Sequence, residues 1–229
     1  MNPYTHLATE FDQWAQAGRG ASMAQGHWDV TMQLLDGVEF NPEMTVLDVG
    51  CGNGWLVREM LHRGAHEGIG VDISPEMVSV SSQAIEYPER ESYTVSNGES
   101  LPFESNSMGI ITNVESLYYY PEPQAALNEW YRVANSGGQL LIMMDLYAES
   151  SATHTWIDAL KVPVHLFSMV QLRSMLEQAG WIVDSMSQIQ DRRRVKTEDE
   201  FQTSIYWPSY AQYLLYRQTG SLCVVAHKS

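Results

Sequence analysis

Basic residues are scarce in this chain: 13 Lys and Arg stand against 28 Asp and Glu, a formal net charge of -15 over 229 residues. A surface of that sign repels phosphate backbones and anionic bilayers, which disfavours nucleic acid and membrane as partners. The one basic run, Arg192-Arg193-Arg194, sits between glutamine-containing and acidic stretches and reads as a solvated turn. Cysteine is almost absent. Cys51 and Cys223 lie far apart and frame no disulfide scaffold, so a reducing, cytoplasmic compartment is expected. Cys/His metal spacing is lacking too. His62 and His66 are four apart, but Gly64 ends the helix that would present them together, and no metal is expected. No apolar run is long enough to span a bilayer, and no basic-plus-apolar leader opens the chain.

What is present is a globular composition, 44% hydrophobic, at a length suited to one domain. The chain is organised around the stretch from Met44 to Asp72. Met44 to Val49 has the length and apolar character of a strand, and Gly50, Gly52 and Gly54 follow in close order. A helix is predicted over Trp55 to His62, then a strand from Gly68 to Val71 that delivers Asp72 at its carboxyl end. Strand, glycine turn, helix, strand and acid is the unit that holds an adenosine-containing ligand, the acid accepting from the ribose hydroxyls. A dinucleotide fingerprint would place its third glycine where Trp55 stands, and Asp48 puts a negative charge beside any phosphate. That charge suits a cationic ligand better than a diphosphate.

Asp48-Val49-Gly50-Cys51-Gly52-Asn53-Gly54 resembles the first motif of the class I S-adenosylmethionine (SAM) dependent methyltransferases, an acid followed by G-x-G-x-G. The resemblance continues in order to about Asp145. Ser96-Asn97-Gly98-Glu99-Ser100-Leu101-Pro102-Phe103 is similar to the family's third motif, with Asn97 in place of the usual acid. Arg132-Val133-Ala134-Asn135-Ser136-Gly137-Gly138 keeps the arginine and paired glycines of a later signature but lacks its proline. The small-molecule branch of this family implies a Rossmann-like α/β/α sandwich: a seven-stranded, mostly parallel sheet closed by a C-terminal antiparallel hairpin. It implies SAM as cofactor and S-adenosylhomocysteine as product. The residues it implicates in binding are Asp48, Gly50, Cys51, Gly52, Asp72, Ile73, Asn97, Gly98, Glu99 and Asn113, together with Arg19, which matches an arginine that often pairs with the methionine carboxylate. A solvent-exposed loop arginine is the other reading of Arg19.

The remaining elements follow from local signals. Residues 1–40 read as a helical cover interrupted at Gly18-Arg19-Gly20, 41–145 as the cofactor core, 146–180 as a lid and helix, and 181–229 as terminal strands with an aromatic insert. Ser74-Pro75 opens a helix, Ser168 to Gln171 is a capping box, and Gly180 closes the helix it starts. Strands are predicted over Tyr93–Ser96, Met108–Val114, Gln139–Met144, Trp181–Ile189 and Gly220–His227, and a helix over Glu122–Ala134 closed by Asn135 to Gly138. The spacing of Phe201, Tyr206, Trp207, Tyr210, Tyr213 and Tyr216 predicts one helix with an aromatic face across Thr197 to Arg217.

Methyl transfer from a sulfonium needs positioning and exclusion of water more than a strong base, and a base only for a poor nucleophile. Glu115, at the end of a strand, could hold an amine or take a proton. Tyr118, Tyr119 and Tyr120 cannot all face one site. His154 or His165 would be the base to test for a hydroxyl acceptor, with Tyr147 and Trp156 as lid aromatics. The expected reaction is methyl transfer to a small molecule, for instance an amine or amino acid derivative, by a monomer or homodimer. An RNA or protein methyltransferase, a non-catalytic SAM-binding module and a dinucleotide oxidoreductase are the rivals.

Overall fold

In the computed structural model, which describes residues 2–229, the central strands bury apolar side chains on both faces, and this dictates the layering. Side chains on a strand alternate between faces. Val46, Ile110, Leu141 and Met143 pack into one buried cluster, while Leu47, Ile111, Leu140 and Ile142 pack into another on the opposite face. A sheet buried on both faces requires helices on both, as parallel sheets do. Helices α2 (Arg19–Leu35) and α3 (Trp55–His62) supply Val30, Leu35, Leu56 and Met60 to the first cluster. Helices α4 (Pro75–Gln83), α5 (Pro123–Val133) and α7 (Met169–Gln178) supply Met77, Leu127 and Leu172 to the second, joined by Leu7 and Trp14 of α1 (Pro3–Gln16).

The seven strands are β1 (Thr45–Val49), β2 (Glu67–Asp72), β3 (Glu91–Val95), β4 (Met108–Val114), β5 (Ala134–Met144), β6 (Ile182–Ile189) and β7 (Ser221–His227). Their order is β3-β2-β1-β4-β5-β7-β6, with β1 to β5 parallel and β7 antiparallel to both β5 and β6. The chain reverses its direction of travel across the sheet between β1 and β4. The crevice outside the carboxyl ends of the strands at such a switch point is where open α/β sheets bind ligands.

Two expectations change. Asn135 to Gly138 do not form a free turn after α5. They form a bulge inside β5: Met108 pairs with Ala134, and Ile110 already pairs with Gln139. The aromatic insert is not one helix. Glu198–Glu200 make a single 3-10 turn, the chain then runs irregularly to Pro208, and only Tyr210–Thr219 form a helix, α8. Proline at 208 lacks the N–H a continuous helix needs, and Ser209 instead caps the new helix by accepting from the Gln212 N–H at 3.2 Å. Phe201, Tyr206 and Trp207 therefore sit in a loop. The lid region holds one short helix, α6 (Trp156–Ala159). None of the described helices is long and apolar enough to cross a membrane.

Trp130 ties the helix layer to the ligand side. It is fully buried in α5, and its Nε1–H donates to the Gly98 carbonyl at 2.9 Å, fixing the turn after β3. Trp130→Ala removes both the ring and that bond. It should cost about 3–5 kcal/mol in urea unfolding; a loss under about 1 kcal/mol would show that the ring is not the anchor described here.

Candidate functional site

Two cavities open at the carboxyl edge of the sheet and meet. The first encloses about 730 Å³ of space, its open mouth included. It is lined by Gly50 and Gly52 after β1, Asp72 and Ile73 after β2, and Asn97 and Gly98 after β3. Gly50 is at φ +81°, and a Cβ there would meet Ser116 Oγ at 2.4 Å. Gly54 is at φ +77°, where a Cβ would lie 2.2 Å from the Tyr93 hydroxyl. Both positions demand glycine, and the turn brings bare backbone to the cavity wall.

Asp72 is buried. Its Oδ2 accepts from Gly52 N–H and its Oδ1 from Ser74 N–H, each at 2.9 Å. Burial raises its pKa, opposed by these donors. Each carboxylate oxygen keeps a further lone pair for a hydroxyl, so the acid, the glycine wall and the apolar Ile73 and Met77 fit a ribose and its base.

Several residues implicated by the family pattern stand behind the wall. Asp48 is buried in β1 and accepts from Thr112 Oγ1 at 2.7 Å; burial pushes its pKa up to about 7. Cys51 packs in the core, where burial raises its thiol pKa. Asn113 joins β4 to β1, donating to the Val49 carbonyl at 2.8 Å and accepting from Leu117 N–H at 3.0 Å. Glu99 accepts from Tyr4 Oη at 2.5 Å and from Glu122 N–H at 2.9 Å, holding α1 against the start of α5.

The second cavity is larger, about 1590 Å³ of empty space. Trp14, Met23, Glu115 and Tyr119 line both cavities and mark where they join. At that junction lies a buried group the sequence only half reveals: Glu115 after β4, Asp145 after β5 and His27 on α2. Glu115 is a non-glycine residue at φ +55°, a conformation costing on the order of 1–2 kcal/mol. Its Oε1 accepts from Asp145 N–H, and its Oε2 from Tyr118 Oη at 2.7 Å. Asp145 accepts from Ser221 Oγ at 2.5 Å and Tyr216 Oη at 2.9 Å. His27 Nδ1 lies 3.4 Å from Asp145 Oδ2, an ion-pair separation without an aligned hydrogen bond, and has no other partner among the described residues.

The electrostatics follow from crowding acids away from water. Burial, then the neighbouring Asp145, push the Glu115 pKa up to about 7, against His27 and the Tyr118 hydroxyl. Burial opposes charge on His27, but Asp145 and Glu115 outweigh it and its pKa is raised. The three residues bring one ligand atom each within 4.8 Å, as a metal would need. All four carboxylate oxygens also accept one hydrogen bond, so each keeps a single further lone pair for a ligand, and the crowded group can share protons.

Of the other acceptor-side expectations, Trp156 and Tyr118 both line the second cavity, and Tyr118 Oη donates to Glu115 there. His154 and Tyr147 do not line it: His154 Nε2 lies 3.3 Å from the Tyr147 carbonyl, and Tyr147 Oη donates to the Gly220 carbonyl. His165 stacks on Phe167 instead. Arg19 faces the second cavity, its guanidinium carbon 3.8 Å over the Trp14 ring and its Nη2 donating to Tyr206 Oη. Trp14, Asp145, His27, Tyr206, Trp207 and Tyr216 were not singled out as acceptor-site residues in the sequence. Only Asp145, the residue after an apolar strand, carried a local signal.

Residues 47–142 match the family model described as a methyltransferase domain. A ubiquinone biosynthesis O-methyltransferase from Xanthomonas oryzae pv. oryzae is 34% identical over 62% of this chain and 65% of its own length. A malonyl-[acyl-carrier protein] O-methyltransferase from Erwinia billingiae is 33% identical over 67% of this chain and 62% of its own. The chain thus spans less than two thirds of the length of the curated relatives it matches. Among solved structures, a chain of the complex between the Haloferax volcanii Trm112 methyltransferase activator and a methyltransferase superposes with TM-score 0.88 and 28% identity, covering 95% of this chain and 97% of that one.

A raised carboxyl pKa has a definite sign in stability. Glu115 shifts from an ordinary 4.5 to about 7, so its contribution is complete below 4.5 and is lost as pH rises through 7. Relative to Glu115→Gln, which cannot ionise, the parent should lose unfolding free energy between about pH 5 and pH 8 in denaturant titrations. Parallel pH profiles for the two proteins would contradict the assignment.

Proposed function

From the premise that this chain carries a class I SAM-dependent methyltransferase domain, we propose that it moves a methyl group from SAM to a small-molecule amine seated in the second cavity. The observation that carries this reading is the buried Glu115–Asp145–His27 group at the junction of the two cavities. SAM, when bound, supplies a methyl already activated by its sulfonium, so the protein's work is alignment and control of one proton.

Asp72 takes the ribose, Asn97 and Gly98 border the base, and the glycine turn admits the ligand's close approach. Glu115 and Asp145 hold the acceptor's ammonium, and the lid and α8 exclude water. A protonated amine has no lone pair to attack with, and a carboxylate whose pKa lies near 7 removes that proton at neutral pH. Tyr119 and Trp156 line the cavity with aromatic rings, whose faces favour a cation by about 0.5–2 kcal/mol each. The two free, buried cysteines support a reducing compartment for this work.

A second reading concerns regulation. The Haloferax volcanii relative is part of a complex with a methyltransferase activator, and the likeness runs over 95% of this chain. An activator of that kind is a candidate partner here, and with it a macromolecular acceptor.

Both readings meet in one assay: formation of S-adenosylhomocysteine against a metabolite library, with and without a Trm112-type activator. Amines should be turned over. Glu115→Gln should lower kcat by about 10²-fold while S-adenosylhomocysteine binding stays unchanged. Tight cofactor binding with no amine turned over under either condition would contradict the proposal and favour a non-catalytic SAM-binding module.

A further inference from the structure

The second cavity gathers Arg19, Arg193, Arg194, Lys196 and Arg217, five of the chain's 13 basic residues. In a chain with 28 acids, an arginine without a carboxylate partner is the exception. Every arginine except Arg19 and Arg90 has a carboxylate within 4.0 Å among the described residues. Arg90 is accounted for by the Ala65 carbonyl and the Tyr87 ring, away from this site. Arg19 is held in the cavity wall by Trp14 and Tyr206 alone.

A second cation without an acid partner is presented by fixed backbone. Lys196 has its N–H bonded to Tyr213 Oη at 3.2 Å and its carbonyl bonded by Tyr210 Oη at 2.9 Å, yet its ammonium has no hydrogen bond or ion pair among the described residues. Arg217, on α8, is committed to the loop: its Nη2 lies 3.5 Å from Asp191 Oδ1 and donates to the Asp191 and Arg193 carbonyls. Arg193 and Arg194 play a different part. Bound by Asp191 and Glu200, and with Arg193 donating to the Gln25 and Gly26 carbonyls of α2, they clamp the loop to the helix that carries His27.

The cavity is therefore polarised. Its inner end is acidic, at Glu115 and Asp145, and its wall carries two cations unmatched by acids, Arg19 and Lys196, with Trp156, Trp207 and Tyr216 lining it between these ends. We propose that the acceptor is dipolar: an amine at the Glu115 end and an oxyanion, carboxylate or phosphate, held by Arg19 and Lys196. This rests on the methyl-transfer reading for the amine end and adds the anion. Oxyanions suit guanidinium donors in parallel pairs and an ammonium as a point charge, so both anion types are chemically admissible.

The test is ligand-observed NMR titration of the protein saturated with S-adenosylhomocysteine, at fixed ionic strength. The probes are benzylamine, 4-(aminomethyl)benzoate and 4-(aminomethyl)phenylphosphonate. At least one anionic amine should bind about tenfold tighter than benzylamine, as charge-assisted hydrogen bonds allow, and the tighter of the two identifies the anion. Lys196→Gln, an exposed substitution that keeps both backbone bonds, should remove most of that advantage and leave benzylamine affinity unchanged, and Arg19→Gln should reduce the advantage as well. Lys161→Gln, outside the cavity, should leave it intact. Equal affinity for the three probes, binding of none of them, or an advantage that survives Lys196→Gln would overturn the anion site. Failure of S-adenosylhomocysteine itself to bind would instead overturn the methyl-transfer reading beneath it.

Discussion

Two carboxylates buried side by side at the ends of β4 and β5 are the constraint around which the molecule is arranged. Bringing Glu115 and Asp145 out of water is expensive, and it is tolerated only because every oxygen accepts a hydrogen bond and a histidine stands within ion-pair distance. The donors come from four separate parts of the chain: the turn after β4, β5's own end, α8 and the start of β7. The helical cover adds His27. The acids thus bind together elements that would otherwise only enclose the sheet edge. They also set the chemistry, since a carboxyl pushed to about 7 is poised to exchange a proton at neutral pH.

The parallel sheet matters because it places these acids beside the glycine turn. With β1 and β4 adjacent and running the same way, Gly50 and Ser116 face each other across the switch point, and Glu115 is the residue just before that contact. Its backbone is left-handed there. The two cavities then share a wall of four residues.

The core was legible because its signals are local. The glycine turn, Ser74-Pro75, the capping box at Ser168 and the apolar strands each specify their own geometry, and the strand order follows from right-handed crossovers between them. The donor-side acid Asp72 was legible for the same reason. The acceptor side was not, because it is assembled at long range. His27 is one polar residue among several on α2, and nothing near it in sequence marks its approach to Asp145. The aromatic spacing between Phe201 and Tyr216 suggested a helix, yet Pro208 divided it, and tertiary packing turned Tyr206 and Trp207 toward the cavity. The basic run at 192–194 is exposed, as its flanks suggest, but its partners Asp29 and the α2 carbonyls lie more than 160 residues away and leave no local signal.

The central claim is that a nucleoside in the first cavity presents its sulfur to the acids at the junction. A crystal structure of the complex with S-adenosylhomocysteine tests it most directly. The account predicts ribose hydroxyls on Asp72 and the sulfur facing Glu115 between Trp14 and Tyr119. A ligand whose sulfur points away from Glu115, or a first cavity left empty at saturating ligand, would contradict it.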